Sequence, residues 1–183
     1  MRLDHIAYRV KDRHETAKFF MNCHGYRILE DLPNGFELKF DDGTTTNCLV
    51  LVPSEKINNE LPWNINIQIG TAAQTYHIAP EIFISDGPEG SIVGEWVKGR
   101  DGIGGVHHMA YQVDDVEATM NEWIEKGYAE FLSDKPLSCP GLDQVFTKPS
   151  KLTGIIYELI KREGHGFCED NVKNLMESTK TQK

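Results

Sequence analysis

Residues 3–12, LDHIAYRVKD, return at 106–115 as VHHMAYQVDD, with His108 falling on His5 and no gap across the ten positions. A repeat of this kind constrains architecture before any local propensity does, because both copies must fold into the same unit and bury their apolar faces together. The likeness continues downstream. Each copy is followed by apolar residues at helical spacing, over about 13–24 (Ala17, Phe20, Met21) and about 115–126 (Val116, Met120, Trp123, Ile124). Gly25-Tyr26 then answers Gly127-Tyr128, and Leu29, Asp31 and Pro33 answer Leu132, Asp134 and Pro136.

Beyond these points both copies turn to β-branched and aromatic runs. They predict strands near 26–31, 35–40, 44–52 and 79–84 in the first copy, and near 128–132, 142–147 and 153–161 in the second. The unit is therefore βαβββ, present twice, and the class is α+β. The first module covers about 1–85 with an insertion at 54–78 that its partner lacks, and the second covers about 104–162. A bridge with a short helix around 90–98 joins them. The insertion contains NNELPWNINIQIG, whose tryptophan and alternating isoleucines suggest a folded flap; a surface excursion and a lid over a site are both open for it.

A chain of 183 residues, with 39% hydrophobic and 26% charged residues, reads as one soluble domain, 1–183, able to bury a core without staples. No apolar run approaches membrane-spanning length, and the N-terminus becomes charged too soon for a secretory signal, so the expectation is a cytoplasmic protein with no membrane partner. A net charge of -9 argues against nucleic acid, whose phosphates such a surface would repel. Cys23, Cys48, Cys139 and Cys168 are far apart with no C-x-x-C, which suggests packing residues in a reducing compartment, with no disulfide framework and no zinc knuckle.

Equivalent positions of paired modules converge across a pseudo-twofold axis, so His5 and His108 are expected to meet inside one cupped sheet. Glu158 lies in the middle of the apolar strand TGIIYELIKR, where a carboxylate is costly to bury unless a cation or a hydrogen-bonding network meets it. Two imidazoles and a carboxylate from separate strands make the facial set typical of non-haem Fe(II), and the same donors suit Zn, Mn, Co or Ni. A fourth ligand is open: superposing EIFIS on ELIKR makes Glu81 the repeat partner of Glu158, whereas aligning NCLVLVP there puts Leu49 at that position and leaves three ligands. His107 repeats Asp4, and alternation turns it away from the site unless it serves as a contact behind the ligands.

Together LDHIAY, GVHHMAYQVDD and YELI resemble the vicinal-oxygen-chelate superfamily, which holds glyoxalase I, methylmalonyl-CoA epimerase, extradiol dioxygenases and 4-hydroxyphenylpyruvate dioxygenase. The resemblance implies βαβββ units forming a cupped, half-barrel mixed sheet around one divalent metal per chain, held by His5, Glu81, His108 and Glu158. The run LDQVFTKPSKLTGIIYELIKREGHGFCEDNVKNLMES further resembles the C-terminal end of the 4-hydroxyphenylpyruvate dioxygenases. It implies that Gln144 touches substrate and acts with Glu158 in catalysis. It also implies that Phe167 and Asn171 shape the substrate pocket at the start of a final helix, about 168–178, with Val172 where that family carries a phenylalanine. Size and the GIGGVHHMAYQVDD segment resemble the methylmalonyl-CoA epimerases.

Two chemistries follow from the resemblance. An Fe(II) dioxygenase acting on a small oxo acid with O2 is favoured; an isomerase or lyase of the epimerase or glyoxalase type, stabilising an enolate and moving a proton, is the alternative. A metal-free ligand-binding protein is less consistent with a buried carboxylate between two histidines. Homodimerisation is implied by the family likeness.

Overall fold

The structure, a computed structural model, describes residues 1–53, 64–69, 72–77, 79–163 and 168–180. The first module runs β1 (Arg2–Arg9), α1 (Arg13–His24), β2 (Arg27–Ile28), β3 (Phe36–Lys39), β4 (Thr45–Val52) and, after the insertion, β7 (Glu81–Asp86). The insertion contributes β5 (Asn64–Ile69) and β6 (Ala72–His77), an antiparallel pair forming a sheet of its own, as a folded flap requires. Helix α2 (Ile92–Lys98) leads to β8 (Gly105–Gln112), α3 (Val116–Glu125), β9 (Leu137–Cys139), β10 (Leu142–Phe146) and β11 (Ile156–Arg162). Helix α4 (Glu169–Ser178) is the last described element.

The repeat carries its own punctuation. Asp12 and Asp115 occupy matching positions, and each caps a helix: Asp12 accepts from the backbone N–H groups of His14 and Glu15, Asp115 from that of Ala118. Gly25 closes α1 with φ 72°, in the left-handed region that glycine enters without a Cβ penalty. The expected strand at 128–132 reduces to a single bridge between Phe131 and Thr147, because the segment falls away into SDKP with Tyr128 and Glu130 exposed.

Nine strands form one mixed sheet in the order β2-β4-β7-β1-β8-β11-β10-β9, with β3 also on β4. At its centre β1 and β8 run antiparallel; outward, β7 lies parallel to β1 and β11 parallel to β8. This is the pseudo-twofold arrangement the repeat predicts. Residues on one face, Ala7, Leu38, Cys48, Val50 and Phe83, pack with Ile92, Val93 and Val97 of α2 and with Met176 of α4. The opposite face packs Ile82, Ile84, Leu49 and Leu51 against Ala17 and Phe20 of α1. Fully burying each such Leu, Ile or Val contributes roughly 1.5–3 kcal/mol, which makes this double-sided packing the main stabilising element. Met21, placed on the packed face of α1 by spacing alone, is exposed over about 38% of its surface.

Helix α4 crosses the inner face of the sheet and is fixed at both ends. Cys168, just ahead of it, forms a disulfide with Cys139 on β9, which corrects the expectation of four unpaired thiols. The two residues are far apart in sequence, and only the return of the chain over the sheet brings them together. At the other end Arg9, almost fully buried, donates from Nη2 to Thr179 Oγ1 at 2.8 Å, a cation at a helix C-terminus. Lys173–Asp41 and Lys180–Asp42 add surface ion pairs. No described helix is long and apolar enough to cross a membrane.

Candidate metal centre

His5 and His108 enter from the two central strands and Glu158 from β11. His5 Nε2 lies 3.4 Å from His108 Nε2, and Glu158 Oε2 lies 3.3 Å from the first and 3.4 Å from the second. Ligand atoms about 2.1 Å from one ion subtend edges of about 3.0–3.4 Å, so this triangle fits a single divalent cation. All three side chains are buried. Among the described residues they are the one His/Cys/Asp/Glu group close enough to hold a metal ion.

The electrostatics describe a site that needs a positive charge. Burial works against an ionised Glu158, yet the two histidines outweigh it and hold its pKa below the usual carboxylate range. Burial likewise opposes a charged His5, but Glu158 and Asp4 overcome it and raise His5 to about 9. His108, where burial prevails despite Glu158, is lowered. The charge on His5 thus occupies the electrostatic place of a cation beside Glu158.

Glu81 does not join this group. Its Oε2 meets Arg162 Nη2 at 2.7 Å, and Arg162 also holds Asp4, through Nη2 to Oδ1 at 2.9 Å and Nε to Oδ2 at 3.1 Å. The strand EIFIS is indeed the last of its module, but its register differs from the one expected. His5 pairs with Glu81 and Ala7 with Phe83 across β1 and β7, while His108 pairs with Ile156 and Ala110 with Glu158 across β8 and β11. The position equivalent to Glu158 is therefore Phe83, neither Glu81 nor Leu49.

A small cleft with a cavity volume of about 30 Å³ opens beside the three ligand atoms. Phe83, Leu142, Phe146, Ile160, Val172 and Leu175 form its apolar wall, and Gln144 stands among them. Gln144 is buried on β10 and lines the cleft, and its Nε2 has no hydrogen-bond partner among the described residues. Asn171 is buried but donates to Cys139 Sγ at 3.3 Å and is not part of the wall, whereas Val172 beside it is. Phe167 lies outside the described residues.

Two residues stand behind the ligands, His107 in the role left open for it by the sequence and Asp4, its repeat partner. Asp4 Oδ1 lies 2.9 Å from His5 Nδ1, and His107 Nδ1 lies 3.0 Å from His108 Nδ1. The signal available for them was the repeat itself, in which Asp4 and His107 hold the same place ahead of each histidine.

No curated protein matches the chain by sequence. In structure it is similar to a methylmalonyl-CoA epimerase, with 23% identity, a TM-score of 0.58, and coverage of 89% of this chain and 96% of that one. It is also similar to a methylmalonyl-CoA epimerase from Streptomyces coelicolor in complex with 2-nitronate-propionyl-CoA, with 22% identity, a TM-score of 0.54, and coverage of 90% and 99%. A third likeness is to a mutant of 4-hydroxymandelate synthase from Streptomyces coelicolor, with 18% identity and a TM-score of 0.70; it covers 98% of this chain and 53% of that one. These likenesses show the fold. Residues 4–138, well over half of the sequence, match a family model, and the chain belongs to the Glyoxalase/Bleomycin resistance protein/Dioxygenase superfamily.

Proposed function

We propose that this protein is a non-haem Fe(II) dioxygenase acting on a small 2-oxo acid, of the type the 4-hydroxyphenylpyruvate dioxygenases represent. The observation that carries the reading is the three-sided donor set of His5, His108 and Glu158, with Glu81 engaged by Arg162. Three protein ligands on one face leave room for both oxygens of an oxo acid and for O2, whereas a fourth would remove one of those places. When bound, Fe(II) supplies the open coordination positions and the electrons that oxygen chemistry requires.

The remaining chemistry belongs to the chain. Glu158, kept ionised by its neighbours, provides the anionic donor that offsets one of the two charges of a divalent ion. Gln144 offers its unpartnered Nε2–H to a substrate oxygen, which orients the oxo acid and supports its assignment to catalysis and binding. Phe83, Phe146, Ile160, Val172 and Leu175 receive an apolar side chain and exclude water. The 4-hydroxymandelate synthase likeness, spanning nearly the whole chain, supports the reading at the level of fold. The end-to-end match to methylmalonyl-CoA epimerases favours a second reading, metal-assisted isomerisation of an acyl thioester. The protein is proposed to work as a homodimer.

Fe(II)-loaded protein assayed for oxygen uptake across a panel of 2-oxo acids tests the first reading. Uptake with at least one of them, lost in Glu158→Ala, is the expected result. Silence across the panel, with proton exchange at the α-carbon of an acyl-CoA, overturns it in favour of the second.

A further inference from the structure

The two central strands pair with a regular exception on each side. His5 lies opposite Ala110 and Ala7 opposite His108, which are images of one another under the repeat. The flanking pairs, Leu3 with Tyr111 and Tyr8 with Val106, are images as well. Between Leu3 and His5 one residue, Asp4, has no counterpart on β8; between Val106 and His108 one residue, His107, has none on β1. The repeat has thus built the same bulge twice. A bulge places an extra residue in one strand and re-aims its side chain, so adjacent residues escape the usual alternation.

Each extra residue turns toward the histidine that follows it. Asp4 Oδ1 reaches His5 Nδ1 at 2.9 Å, His107 Nδ1 reaches His108 Nδ1 at 3.0 Å, and all four side chains are buried. We propose that Asp4 and His107 are positioning residues that hold the Nδ1 of the ligand histidines and so present both Nε2 atoms to one ion. This rests on the metal reading of His5, His108 and Glu158. The two supports differ in kind. A carboxylate anchored by Arg162 accepts only, so His5 carries its proton on Nδ1. An imidazole either accepts or donates; once His108 commits Nε2 to the ion, its Nδ1–H donates to His107 Nδ1, and His107 keeps its own proton on Nε2.

Zn(II) binding by calorimetry on the intact chain, with Co(II) absorption as a spectroscopic readout, tests the assignment. Asp4→Ala and His107→Phe lower Zn(II) affinity about 10–100-fold and alter the Co(II) bands, the usual effect of removing the partner of a ligating histidine. Asp4→Asn and His107→Gln restore an acceptor oxygen and recover most of that loss, a rescue that a purely packing role would not give. Wild-type affinity in both Asp4→Ala and His107→Phe overturns the assignment, as does an equal loss in the conservative and disruptive variants. If the unaltered chain binds no Zn(II) at all, the metal reading itself falls, and this inference with it.

Discussion

Glu81→Gln separates three ligands from four. Glu81 meets Arg162 at 2.7 Å, and both side chains are almost fully buried. Removing one partner of a buried pair outright costs about 3–5 kcal/mol. Here the loss is smaller, because Asp4 still neutralises Arg162 from 2.9 Å and the Gln oxygen still accepts a hydrogen bond. Converting one charged hydrogen bond to a neutral one costs about 1–2 kcal/mol. For a chain of this length that lowers the thermal midpoint by roughly 2–8 °C. The ligand triangle is untouched, so elemental analysis of the variant returns about one metal per chain, while Glu158→Gln, which removes the anionic donor, returns far less. A Glu81→Gln protein that folds normally yet holds no metal would refute the register argument and restore a four-ligand site.

Other consequences are measurable. His5 in the metal-free protein is held up at about 9 against an ordinary 6.5, so its contribution to stability is complete below about pH 6.5 and is lost as pH climbs through 9. The thermal midpoint of metal-free protein therefore declines between pH 7 and 10; metal binding at pH 7.5 releases about one proton, seen as buffer-dependent heat in calorimetry, and no such release contradicts the charge assignment. Cys139→Ser opens a disulfide of sequence separation 29 and lowers unfolding free energy by about 3 kcal/mol in chemical denaturation, whereas an unchanged midpoint means that the bridge does not strap α4. Thr179→Val deprives the buried Arg9 guanidinium of its 2.8 Å acceptor at a cost of about 1–3 kcal/mol, with faster hydrogen exchange across residues 169–178 as its local signature.

Much of this architecture was legible in one alignment of the chain with itself. Both modules, their helices and the meeting of His5 with His108 follow from a repeat that specifies local structure twice. Glu158 announced itself by chemistry, since a carboxylate in a run of Ile, Leu and Tyr implies a positive partner. The strand at 128–132 faded to a bridge because propensity there had little packing to support it.

Other features were decided by strand against strand and helix against sheet. A slip of one residue exchanges the faces of a strand, but a slip of two leaves every side chain on the face it had. Alternation therefore could not distinguish Glu81 from Phe83; the pairing of β7 with β1 did, and it sent the glutamate to Arg162 and the phenylalanine to the cleft. The bulges at Asp4 and His107 are likewise properties of two strands held together, invisible in either alone. The joining of Cys139 to Cys168 waited on α4 folding back across the sheet. The sequence by itself determined the two modules and the three donors at their meeting point, because periodicity and residue chemistry are local. Tertiary structure determined what stands beside and behind those donors, because register is a relation between segments that no single segment encodes.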